Sequence, residues 1–91
     1  MFKIIITQSA LEEYAQIGDF IAKDNLYYAH RVLQSIDETF QTLIEFPYIW
    51  KIINPTHRMI VEPQYKYKIV YKVQKNMIYI ITIFKYKADW E

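Results

Sequence analysis

Residues 67–73 read Tyr67-Lys68-Ile69-Val70-Tyr71-Lys72-Val73, and after the polar break Gln74-Lys75-Asn76 a second apolar run extends from Met77 to Tyr86. A strand points successive side chains to opposite faces, so Tyr67, Ile69, Tyr71 and Val73 form one apolar side while Lys66, Lys68 and Lys72 share the other. Two such runs joined by a short polar turn predict an antiparallel hairpin with one face buried and one cationic. The second run ends on Lys85-Tyr86-Lys87, which extends the basic-aromatic character to the end of the hairpin.

Working outward, Phe2 to Thr7 is short, apolar and β-branched, which predicts a strand. Ser9 and Glu12 follow with the spacing of a capping box, so a first helix is expected from there. Its apolar positions are Leu11, Tyr14, Ala15, Gly18, Ile21 and Ala22. Lys23-Asp24-Asn25 supplies turn and N-cap chemistry before a second helix, whose stripe Ala29, Val32, Leu33, Ile36, Phe40 and Leu43 is the cleanest periodicity in the chain. Pro47 ends that helix. A connection through Asn54-Pro55-Thr56 leads to a strand over residues 57–61, then Pro63, then the strand over 65–73 and the final strand. The expected order is β-α-α-β-β-β. Two amphipathic helices need a wall for their stripes and the strands supply one, which predicts an α+β, two-layer domain with a helical hairpin packed on a mainly antiparallel sheet.

The chain has 91 residues, 53% of them hydrophobic, enough to close one core, and residues 1–91 read as a single domain. One glycine and three prolines leave little room for long irregular loops. No cysteine is present, which removes disulfides and thiolate ligands and fits a reducing cytoplasm. The longest apolar runs are too short to span a bilayer and the start lacks a signal-peptide pattern, so a cytoplasmic protein with no membrane partner is expected.

The net charge of +1 conceals a division. Residues 1–46 carry three Lys/Arg and seven Asp/Glu, 3 − 7 = −4, and residues 47–91 carry eight and three, 8 − 3 = +5. A basic half rich in tyrosine suits a polyanion, because cations attract phosphate and aromatic faces stack on bases. It equally suits an antiparallel sheet with one wet face.

His30 and His57 are far apart and no His-Glu pattern accompanies them, so neither a metal nor another cofactor is expected. The sole glycine, Gly18, falls within a helix, so there is no phosphate-cradling loop and no elbow for a nucleophilic serine. What remains is the basic set Arg58, Lys66, Lys68, Lys72 and Lys85-Tyr86-Lys87. Metal-free RNA cleavage by 2′-hydroxyl attack needs cations at the phosphate and a group that moves protons. Arg58 and Lys68 suit the first role, and Lys85, Tyr86 or His57 the second. Tyrosine and lysine ordinarily titrate near pH 10, so either needs its pKa depressed to act as a base at neutrality.

Taken in order, Ala10-Leu11-Glu12-Glu13-Tyr14 with Ile17 and Phe20-Ile21, Ala29, Leu43 with Phe46-Pro47, Arg58, residues 67–71 and Ile80-Ile81-Thr82-Ile83-Phe84-Lys85 resemble the RelE/ParE superfamily of bacterial toxins. The resemblance runs from Ala10 to Trp90, and the long hairpin with an early alanine in its second helix is similar to the ParE-like branch. It implies a βααβββ fold, a toxin of a type II toxin-antitoxin system that inhibits growth and serves in plasmid stabilisation, and a cognate antitoxin as partner. It implies DNA gyrase as target in the ParE-like branch, or the ribosome and its mRNA in the RelE-like branch, where the protein would be a metal-independent endoribonuclease. Lys68 stands where arginine is usual, Lys85 where many relatives have histidine, and Tyr86 where some ribonucleases have a catalytic arginine. These departures favour gyrase, since lysine keeps the charge but loses the bidentate fork. A non-toxic protein-interaction module is the reading from a different class.

Overall fold

The computed structural model describes residues 1–86. Its elements are β1 (Lys3–Ile6), α1 (Gln8–Ala22), α2 (Leu26–Glu45), β2 (Lys51–Asn54), β3 (His57–Val61), β4 (Lys68–Gln74) and β5 (Met77–Phe84). The two-layer α+β architecture is as expected, with one strand more: β2 lies in the segment read as a connection, so the order is β-α-α-β-β-β-β. The sheet order is β1-β5-β4-β3-β2, parallel only between β1 and β5. A four-residue edge strand with a register shift between Ile52 and Asn54 is too short and irregular to show the alternation that marks longer strands.

The first helix begins earlier than the Ser9-Glu12 pattern predicts. Thr7 is the N-cap, its side-chain oxygen accepting from the Ala10 N–H at 3.3 Å, and Ser9 sits inside α1. The same Thr7 hydroxyl donates to the Ile80 carbonyl at 2.7 Å, so one side chain caps the helix and ties its start to β5. The buried stripe of α1 is rotated too. Ala10 and Gly18 are buried and Tyr14, Ile17 and Ile21 pack against the core, while Leu11 and Ala15 face outward. Gly18 permits close approach of α2, because a Cβ there would lie 2.8 Å from Leu33 Cδ1. The second helix follows the expected stripe, with Asn25 as N-cap and Ala29, Val32, Ile36, Phe40 and Leu43 buried.

Between the layers Val32, Ile36, Phe40 and Leu43 meet Ile60, Ile69, Tyr71, Ile78, Ile80 and Ile83. The face expected to be simply cationic is different. Met59, Val70 and Phe84 form a second, smaller apolar cluster on it, flanked by Ile53 and Ile81. Lys68 and Lys72 lie over aromatic rings there, their ammonium groups 5.9 Å from the Phe84 centroid and 5.7 Å from the Tyr79 centroid. Lysine stems cover apolar surface while the charged ends reach water, so one face carries both characters.

A bulge at Ile81 interrupts the β4–β5 ladder, because Val70 pairs with Thr82 and Tyr71 with Ile80. β1 covers β5 only as far as Ile80. Beyond it the Glu13 carboxylate of α1 accepts from the Ile83 N–H at 3.0 Å and the Thr82 hydroxyl at 2.9 Å, occupying an edge that would otherwise present bare backbone donors. Among the described residues no helix is long and apolar enough to cross a membrane.

Candidate functional site

The basic residues fall at two ends of the sheet. Arg58 opposes Tyr71 on β4, and Lys68 opposes Val61 and Phe84. Three residues of strand separate Lys68 from Tyr71, roughly 10 Å, and an odd spacing puts them on opposite faces. Lys85 lies over Tyr67, with its Nζ 5.3 Å from that ring, and Tyr67 packs against the core beneath the helices. Lys68 and Lys85 thus share an end of the sheet but not a face. Tyr86 follows at 5.6 Å from the Lys85 Nζ and is 88% exposed. Lys87 lies outside the described residues, as does Trp90.

Arg58 is committed to the chain itself. Its guanidinium donates to the carbonyls of Tyr48 at 2.6 Å and Trp50 at 3.0 Å and lies 5.6 Å from the Tyr48 ring centroid. Beside it the buried Tyr71 hydroxyl donates to the Pro47 carbonyl at 2.7 Å. These three bonds hold the segment between α2 and β2, whose side chains Tyr48 and Ile49 are exposed. Burial pushes the Tyr71 pKa up to about 12, with Arg58 acting against the rise, so this hydroxyl is a fixed donor at neutral pH. Burial likewise raises Tyr67, although Lys85 opposes it. Neither of these two tyrosines has the depressed pKa that a phenolate base requires.

His57 opens β3, directly after the turn from β2. Asn54 Oδ1 accepts from the Thr56 N–H at 3.0 Å and the His57 N–H at 2.9 Å, and His57 Nδ1 lies 2.7 Å from the Thr56 hydroxyl. The turn, Arg58 and the end of β4 enclose an open groove of about 460 Å³ lined in part by Tyr48, Asn54, His57, Arg58, Lys72 and Gln74. Of the proposed site residues the structure brings Arg58 and His57 together here, and adds Lys72. It brings Lys68, Lys85 and Tyr86 to the other end.

Sequence reasoning passed over Glu62. Its side chain is buried and accepts from the Ser35 hydroxyl and from the N–H groups of Gln64 at 2.6 Å and Tyr65 at 2.9 Å. Burial alone would raise its pKa, but the bonds from Ser35, Tyr65, Gln64 and Tyr67 outweigh that and hold the carboxyl below its ordinary value. The bonds explain why β4 starts at Lys68 and not at Tyr65: the chain first turns around this carboxylate, with Lys66 at φ 69°. The available signal was its isolation, since Glu62 is the one acid between Glu45 and Asp89 and stands next to Pro63. Among the described residues no cluster of His, Asp and Glu has the makings of a metal site.

Comparison with known proteins adds a family. The family model described as the ParE toxin of the type II toxin-antitoxin system parDE matches residues 4–90. No curated protein sequence matches. Two solved structures are similar. The chromosomal ParDE toxin-antitoxin system from P. aeruginosa gives a TM-score of 0.80 at 18% identity, over 96% of this chain and 98% of that one. The intact RelBE toxin-antitoxin complex from E. coli gives 0.73 at 18% identity, over 97% and 100%. At such identity both speak to the fold alone.

Proposed function

This chain belongs to the ParE toxin family of type II toxin-antitoxin systems, and from that premise we propose that it arrests bacterial growth by interfering with DNA gyrase and is neutralised by a cognate antitoxin. The observation that carries the proposal is the family match, which spans residues 4–90 and so takes in both helices and, but for Lys3, the five strands of the described residues. The antitoxin partner follows from the family's description and from the assemblies named for the two similar structures.

The alternative is ribosome-dependent mRNA cleavage, with Arg58 and Lys68 as phosphate clamps and Lys85 and Tyr86 as proton movers. Such a site requires these groups around one phosphate, and the separation of Arg58 from Lys68 and Lys85 favours the gyrase reading. Purified protein added to gyrase is expected to inhibit supercoiling or trap cleaved DNA, and co-expression with the protein encoded beside it should restore growth. Messenger RNA from arrested cells is expected to show no new codon-linked ends by primer extension. New ends together with unimpaired supercoiling overturn the gyrase reading in favour of cleavage, and growth without arrest leaves only the interaction module.

A further inference from the structure

The segment joining α2 to β2 is apolar, exposed and held in place, and we propose that it is the surface by which the chain docks on its target protein, at a partner site that is apolar and carries carboxylates. This rests on the gyrase reading and names the contact that such a reading requires. Three observations carry it. First, Phe46, Tyr48, Ile49 and Ile52 fall within one short stretch and are each between 51% and 66% exposed. A single exposed apolar residue is ordinary, whereas a contiguous group of large ones marks a contact site.

Second, this surface is fixed before any partner arrives. Arg58 donates to the Tyr48 and Trp50 carbonyls, the Tyr71 hydroxyl donates to that of Pro47, and the Tyr48 ring stands edge-to-face with Phe2 at a centroid distance of 5.8 Å. The backbone beneath Tyr48 and Ile49 therefore has little freedom left to lose on binding. The same segment departs from what stability alone would select. Trp50 Nε1 is buried and has no hydrogen-bond partner among the described residues. An unpaired buried donor costs free energy, and such departures belong where a surface serves more than the fold.

Third, the charge around the surface has one sign. From Phe46 to Val61 the chain holds Lys51 and Arg58 but no Asp or Glu. Ile52 and Arg58 are register partners on β2 and β3, so their side chains share a face. The Arg58 guanidinium lies over the Tyr48 ring, and the two carbonyls it binds leave its charge uncancelled. Two copies of this surface would set like charges together, which opposes self-pairing through it, while carboxylates on a partner are attracted. A preformed surface of this kind suits a folded protein, with Tyr48 and Ile49 as the anchors.

The test is inhibition of supercoiling by purified gyrase, with the full chain and variants that keep its thermal melt. Ile49→Ser and Ile52→Ser should each weaken inhibition at least about tenfold. Leu26→Ser, which removes a comparably exposed apolar group at the far end of α2, should change it by less than about twofold. Ile49→Asp should lose more than Ile49→Asn, and added salt should narrow that difference. The docking surface is overturned, with the gyrase reading intact, if wild type inhibits and the Ile49 and Ile52 variants inhibit equally well, or if Leu26→Ser is as damaging as they are. Variants that inhibit gyrase in full but escape the antitoxin, or lose a concentration-dependent dimer, would assign the surface to that other partner and overturn the proposal as well. Equal effects of Ile49→Asp and Ile49→Asn would overturn a partner site carrying carboxylates. Wild-type protein without effect on gyrase overturns the gyrase reading and this contact with it.

Discussion

The Ser35 hydroxyl of α2 donates a hydrogen bond to the buried Glu62 carboxylate, joining the helical layer to the turn between β3 and β4. Because the folded-state pKa of Glu62 lies below its ordinary value of 4.5, the charge contributes stability above that pH, and the contribution is lost as pH falls through the depressed value. Glu62→Gln should cost roughly 1–3 kcal/mol at neutral pH, since the amide presents donors to backbone N–H groups. Thermal melts between pH 7 and 2 should show a smaller acid-induced loss in the variant. An equal loss in both proteins would mean that Glu62 does not carry the acid sensitivity.

Phe40 is 6% exposed in the centre of the α2 stripe, among residues of both layers. Phe40→Ala should destabilise by about 3–5 kcal/mol in chemical denaturation. A near-neutral result would place this stripe outside the core.

Gly18→Ala sets two effects against each other. Alanine gains about 0.5–1 kcal/mol over glycine within a helix. Its Cβ would meet Leu33 Cδ1 at 2.8 Å, but that atom ends a half-buried, flexible side chain that can turn aside. The net change is expected within about 1 kcal/mol of zero. Gly18→Leu, with no room for its branches, should lose roughly 1–3 kcal/mol and lower the Tm.

Arg58 and Lys68 should separate fold from function. Arg58→Ala leaves the Tyr48 and Trp50 carbonyls without their shared donor and should destabilise the protein by about 1.5–3 kcal/mol. Any relief of growth arrest it brings is then confounded with unfolding. Lys68→Ala is expected to keep the unfolding free energy within about 0.5 kcal/mol of wild type, as for most surface changes, and to relieve arrest. Full toxicity in a folded Lys68→Ala protein would put the toxic surface elsewhere.

Tyr71→Phe removes the hydroxyl that binds the Pro47 carbonyl and should cost about 1–2 kcal/mol at neutral pH. With its pKa raised to about 12, Tyr71 contributes stability that is full below pH 10 and falls as the unfolded chain begins to ionise above it. The alkaline decline should therefore be shallower in the variant. Tyr14, bonded to Asp37 and also raised to about 12, leaves a remainder of that decline in place.

The sequence by itself determined the layers. The α2 stripe, the alternation through Ile69 and Tyr71 and the acid-basic division between the halves are local patterns, and period alone assigns them to a helix, a strand and a charged surface. Tertiary structure decided where the chemistry lies. Thr7 displaces Ser9 as the helix cap because its hydroxyl also reaches Ile80, more than seventy residues away in the chain. Arg58 and Lys68 look equivalent as basic residues on strands. Only strand register shows that one binds the carbonyls before β2 while the other lies over Phe84 on the opposite face. The groove unites a turn at 54–57 with the end of β4 at 72–74, segments joined by pairing and not by spacing. Periodicity tells a side chain which way to point, but which groups it meets depends on contacts that close long loops, and those are fixed only when the sheet is assembled.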